Sequence, residues 1–98
     1  TLTNLKIKEC YSIDLTVTNI TSDLNIENVM FSNNPFNKPL NIKNLFWKNN
    51  MLYYNNPSLP NINTSFPNLK KIEIDKNSIN QKDIKSLLKR YVELILIT

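Results

Sequence analysis

Apolar residues along this chain return at one set of offsets. From Leu69 the order is Leu69-x-x-Ile72-x-Ile74-x-x-Asn77-x-Ile79. The same order fits Ile42-x-x-Leu45-x-Trp47-x-x-Asn50-x-Leu52 and Ile26-x-x-Val29-x-Phe31-x-x-Asn34-x-Phe36. Leu2-x-x-Leu5-x-Ile7-x-x-Cys10 fits with Cys in the asparagine slot, and Tyr91-x-x-Leu94-x-Leu96 begins a fifth copy. The copies start at residues 2, 26, 42, 69 and 91, so successive starts lie 24, 16, 27 and 22 residues apart. Each x-apolar-x-apolar-x piece predicts a short strand, because neighbouring side chains of a strand point to opposite faces. Strands that return in phase can stack into a parallel sheet whose inward residues share one core.

With Asn or Cys in a fixed slot, this pattern resembles the leucine-rich-repeat signature L-x-x-L-x-L-x-x-N/C-x-L, and the resemblance extends over nearly the whole chain. It implies an α/β fold: a leucine-rich-repeat solenoid with a short curved parallel sheet and irregular loops on the convex side. We read residues 1–98 as one such domain and, since neither end shows a polar capping repeat, expect either a stretch of a longer array or ends covered by other subunits. The departure is the 16-residue step between the second and third copies, against about 20–29 in typical repeats. Either that turn is very tight or one of the two copies is misassigned. The slot has a physical reason. Where the chain leaves a strand, backbone donors and acceptors are left inside, and an asparagine amide can satisfy both kinds. Cys10, Asn34, Asn50 and Asn77 are therefore expected to form a buried ladder.

Between the strands the patterns differ. Residues 80–90 predict the one clear helix. Asn80 is placed as N-cap, with Asp83 three residues on. Ile84, Leu87 and Leu88 form an apolar stripe, and Lys89 and Arg90 suit the negative end of the helix dipole. Leu15-Thr-Val17-Thr reads as extended. Asn33 to Pro39 is too short and proline-interrupted for a helix. Asn55 to Pro67 reads as a long loop, pinned to the core by Leu59 and Ile62.

Composition changes this picture in three ways. The chain has no Gly, so turns needing positive φ fall to Asn or Asp, with Asn33-Asn34, Asn49-Asn50 and Asn55-Asn56 as candidates. It has one Cys and no His. That excludes the usual zinc constellations, an internal disulfide and any Ser-His or Cys-His nucleophile pair within these residues. No carboxylates are spaced for acid–base chemistry, so no enzyme, cofactor or metal site is indicated. The net charge is +4, with the excess after residue 65, where Lys82, Lys85, Lys89 and Arg90 give the helix a basic face. The sequons at Asn19 and Asn63 occur in a chain with 18 Asn and are expected by chance. The longest apolar run, Leu94-Ile-Leu-Ile97, is far below the roughly 20 residues that span a bilayer.

The functional expectation follows from the resemblance. Leucine-rich repeats usually bind other proteins on the concave sheet, which implies a non-catalytic interaction or scaffold module in a larger assembly. Counting from the copies above, the central outward column is Lys6, Met30, Phe46, Glu73 and Ile95. The next is Lys8, Ser32, Lys48, Asp75 and Ile97. Met30 and Phe46 would form an apolar spot inside a charged rim, as in a protein-binding patch. Trp47, Phe31 and Phe36 fall at core positions and are expected to pack. Two alternatives remain: a nucleic-acid-contacting accessory protein using the basic helix, and a repeat segment of a ubiquitin-ligase substrate receptor.

Overall fold

In the computed structural model the described residues are 2–9, 20–31, 36, 38–52, 58–59 and 62–97. Five strands form one parallel sheet: β1 (Leu2–Lys8), β2 (Ile20–Glu27), β4 (Asn44–Lys48), β6 (Lys71–Asp75) and β7 (Glu93–Ile97), in the order β1-β2-β4-β6-β7. Two short strands, β3 (Met30–Phe31) and β5 (Met51–Leu52), pair in a second, two-stranded parallel sheet. A four-residue helix α1 (Ile62–Ser65), a 3-10 turn (Lys76–Ser78) and the helix α2 (Gln81–Lys89) lie between strands. The chain is thus mixed α/β, with a five-stranded parallel sheet and one clear helix.

Register explains the recurring pattern. Leu5, Leu24, Leu45, Ile72 and Leu94 are paired across the sheet, 19, 21, 27 and 22 residues apart. The second strand therefore uses Leu24-x-Ile26, five residues before the expected Val29-x-Phe31. The 16-residue step disappears with it. Val29 and Phe31 are still buried, because they serve the small sheet, where Met30 faces Met51 and Phe31 faces Leu52. Both apolar pairs match the same periodicity, and only cross-strand hydrogen bonding distinguishes them.

Each of the first three long strands ends in the same way. Glu9, Asn28 and Asn49 follow β1, β2 and β4 with φ of 54°, 56° and 53°. This left-handed conformation turns the chain sharply off the sheet. The turned N–H then reaches the next strand: Glu9 N–H donates to Glu27 O at 3.0 Å and Asn28 N–H to Lys48 O at 3.1 Å. Asn49 N–H instead donates to the Asp75 carboxylate at 2.6 Å. Asn49 Nδ2 also donates to Asn28 Oδ1 at 2.6 Å, tying two successive turns together. Asn is the cheapest non-glycine residue at such φ, which fits a glycine-free chain. Of the three, only Asn49 belongs to an asparagine pair expected to turn; Asn28 and Glu9 do not.

Asn50 is the buried rung that the slot predicted. It is 1% exposed. Its Oδ1 accepts from Val29 N–H at 3.0 Å and its Nδ2 donates to Ile26 O at 2.9 Å. The ladder does not extend to Asn77. After β6 the chain enters the 3-10 turn with no left-handed residue, so Asn77 is carried to the surface and Ser78 turns inward. Asn77 is exposed and bonds to no described residue through its side chain. Val29, not Asn34, holds the slot after β2. Asn34 and Cys10 lie outside the described residues, as do Leu15-Thr-Val17-Thr, Asn19, Ser32, Asn33, Asn55 and Asn56.

The core is one cluster on the inward side of the main sheet. Trp47 is its centre. Phe31 stacks on it at 5.6 Å between centroids, and Phe36 meets it at 5.7 Å. Phe66 packs edge-on against Phe36 at 4.9 Å. Leu59 and Ile62 are fully buried, as expected for the pinned loop, and Leu59 N–H also donates to Ser78 O at 2.8 Å. Within that expected loop, residues 62–65 form α1.

α2 begins as its capping residues dictate: Asn80 Oδ1 accepts from Asp83 N–H at 2.8 Å. Leu87 is buried and Ile84 packs partly against the core, but Leu88 is 55% exposed, so the inward stripe is narrower than expected. Tyr91 was expected as the first core residue of the fifth copy. It is instead 94% exposed, at φ 59°, as the left-handed residue that ends the helix, and Val92 fills the core position.

Candidate binding face

Outward side chains of the five strands form three rows across the open face of the sheet. The central row runs Lys6, Asn25, Phe46, Glu73 and Ile95. The row toward the strand starts runs Asn4, Asp23, Asn44, Lys71 and Glu93. In the third, Lys8, Glu27 and Lys48 are paired, as are Asp75 and Ile97. Lys6, Phe46, Glu73 and Ile95 thus fall in one row as expected, and Lys8, Lys48 and Asp75 fall on the same face.

Met30 does not belong to this face. It sits on β3 beside Met51, half-buried, and the position assigned to it is held by Asn25. The expected Met30–Phe46 pair does not form. Asn25 was missed because an outward residue is found by counting from the strand core, and the wrong core pair was chosen in that segment. The 16-residue step was the signal that could have found it.

Phe46 is half-buried at the centre of the row, between two shallow hollows. One, of about 190 Å³, is lined by Lys6, Ile7, Lys8, Asn25, Glu27 and Phe46. The other, of about 260 Å³, is lined by Asn25, Asn44, Leu45, Phe46, Lys71 and Glu73. Asn25 is short, and its position between the long Lys6 and Phe46 side chains leaves the first hollow open. Ile95 is 39% exposed on the edge strand.

Most charged groups on the face have a partner within it. Lys8 pairs with Glu27 at 3.5 Å, and Lys71 reaches Glu73 at 3.5 Å and Glu93 at 3.7 Å. Asp23 Oδ1 accepts from Asn44 Nδ2 at 2.6 Å, and Asp75 is taken by Asn49 N–H. Asp75 therefore braces the neighbouring turn as well as bordering the face. Exposed pairs of this kind add little stability, about 0–1 kcal/mol each.

The other sequence candidates have structural surroundings. Lys82, Lys85 and Lys89 are exposed on α2. Arg90 folds back: Nη1 donates to Asn63 Oδ1 at 2.8 Å, and Nη2 to Phe66 O and Pro67 O, both at 2.9 Å. Both polar atoms of the Asn63 amide are engaged, since Nδ2 also donates to Asp83 Oδ1 at 3.5 Å. Among the described residues no three of His, Cys, Asp and Glu are grouped to hold a metal ion, and no helix is long and apolar enough to cross a membrane. No family model, curated protein or solved structure matches the chain.

Proposed function

We propose that the chain is a non-catalytic interaction module, built as a leucine-rich-repeat-like solenoid, that binds another protein through the open face of its sheet. In-register strands, the recurring left-handed turns at Glu9, Asn28 and Asn49, and the Asn50 rung support the architecture. The observation that carries the function is Phe46: a large aromatic ring held half-open in the middle of a polar sheet face, with a hollow on either side. An apolar centre inside a polar rim is the usual anatomy of a protein-binding patch.

The test is selection of a phage-displayed random peptide library on the 98-residue chain, followed by binding to Phe46→Ser. The ring is half-buried, so the substitution costs about 1 kcal/mol of stability. It is expected to weaken the selected peptides by roughly tenfold or more, as loss of a central anchor does. Peptides that bind Phe46→Ser as tightly as the parent chain overturn the assignment. A second reading, contact with nucleic acid, rests on the exposed Lys82, Lys85 and Lys89 of α2. It requires oligonucleotide binding that falls steeply with salt and drops on Lys85→Glu. Phe46→Ser leaves such binding unchanged.

A further inference from the structure

Charged groups on the open face are partnered unevenly. Its outward acids are Asp23, Glu27, Glu73, Asp75 and Glu93, and each has a partner within the molecule: Asn44, Lys8, Lys71, Asn49 N–H and Lys71. Its outward lysines are Lys6, Lys8, Lys48 and Lys71. Lys8 and Lys71 are consumed by those pairs. Lys6 and Lys48 are exposed, and neither ammonium has a partner among the described residues.

Their placement is specific. Lys6 is in register with Asn25, and Asn25 with Phe46, so Lys6 lies two strands from the ring. At about 4.8 Å per strand that is roughly 10 Å. Lys48 follows Phe46 by two residues on β4, on the same face, roughly 7 Å further along the strand. The two lysines, unpartnered among the described residues, thus flank the aromatic ring from two directions, and the hollow of about 190 Å³ is lined by both Lys6 and Phe46.

We propose that this face takes an acidic peptide segment, with an apolar side chain against Phe46 and carboxylates at Lys6 and Lys48. The proposal rests on the reading of the face as a protein-binding surface and names the chemistry of its partner. The other half of the face selects against a continuous polyanion. On β6 and β7, Glu73, Asp75 and Glu93 are opposed by Lys71 alone among lysines. A phosphate backbone crossing the sheet would run over this acidic half. A peptide can put its carboxylates on the β1–β4 half and leave neutral or basic residues for the other. A like-charged contact costs affinity, and a complementary one sets orientation.

The test uses the peptides selected on the parent chain, measured on Lys6→Glu, Lys48→Glu, Lys6→Gln and Lys48→Gln, with circular dichroism melting as the folding control. The expected result is enrichment of Asp or Glu beside an apolar residue. Affinity falls roughly three- to tenfold per reversed lysine and less for Gln, and it weakens as salt rises. Selected peptides that need Phe46 but show no acidic enrichment, or ignore all four lysine variants, overturn this proposal and leave the binding-face reading standing. Peptides indifferent to Phe46→Ser, or no recovery above background, overturn both. A single-stranded oligothymidylate that binds more tightly than the peptides and is lost on Lys6→Glu or Lys48→Glu overturns it in favour of nucleic acid.

Discussion

Replacing Asn50 with Ala tests how the successive strand segments are held together. The amide is buried at 1% exposure and bridges two backbone groups of the preceding segment, Val29 N–H and Ile26 O. Alanine leaves both without a partner in a site with little access for water. An orphaned buried donor or acceptor costs about 1–3 kcal/mol, so the pair should cost roughly 2–4 kcal/mol once partial relaxation is allowed for. In a domain of this size 1 kcal/mol corresponds to about 4–8 °C. A fall of at least about 8 °C in melting temperature is therefore expected, with a matching shift of the urea midpoint at unchanged slope. Asn77→Ala is the internal control. It occupies the same place in the repeated pattern, yet its side chain is exposed and has no described partner. It should change stability by less than about 0.5 kcal/mol. Asn50→Asp separates hydrogen bonding from volume: a carboxylate still accepts from Val29 N–H but cannot donate to Ile26 O, and it buries a charge. It should be no better tolerated than alanine. If Asn50→Ala melts with the parent, or if Asn77→Ala loses as much, the single-rung account fails.

Three further substitutions probe the surrounding structure, each read by thermal or urea unfolding. Ser78 is fully buried and its hydroxyl has no hydrogen-bond partner among the described residues, so Ser78→Ala should be neutral or stabilising by up to about 1 kcal/mol, and a clear loss would show that the hydroxyl is satisfied. Tyr91 is 94% exposed at φ 59°; Tyr91→Gly removes left-handed strain at little packing cost and should gain about 0.5–1 kcal/mol, whereas destabilisation would show that the ring supports the end of α2. Arg90 makes three hydrogen bonds, to Asn63 Oδ1, Phe66 O and Pro67 O; Arg90→Ala should cost about 2–3 kcal/mol and Arg90→Lys should recover only part, because an ammonium cannot reproduce the planar fork.

The sequence by itself determined the strand phase in four of the five segments of the main sheet, and the start of α2. Leu5, Leu45, Ile72 and Leu94 stand where alternation put them, and Asn80 caps the helix through Asp83 N–H. These features are local: a strand shows its phase in every second residue, and a cap needs only the residues of one turn. Most of the outward rows follow from that phase, which places Lys6, Phe46, Glu73 and Ile95 in one row. Tertiary structure alone chose between Leu24-x-Ile26 and Val29-x-Phe31, since both fit the pattern and both are buried. The choice depends on which backbone pairs with β1 and β4, and it moved Met30 off the face and Asn25 onto it. The asparagine slot was ambiguous for the same reason. A side chain two residues beyond a strand points inward only if the chain leaves the sheet by the same turn each time. Asn49 makes that turn at φ 53° and carries Asn50 into the core. Lys76–Ser78 winds into a 3-10 turn and carries Asn77 out. Backbone course, set by packing against the neighbouring segments, decided which asparagine became structural.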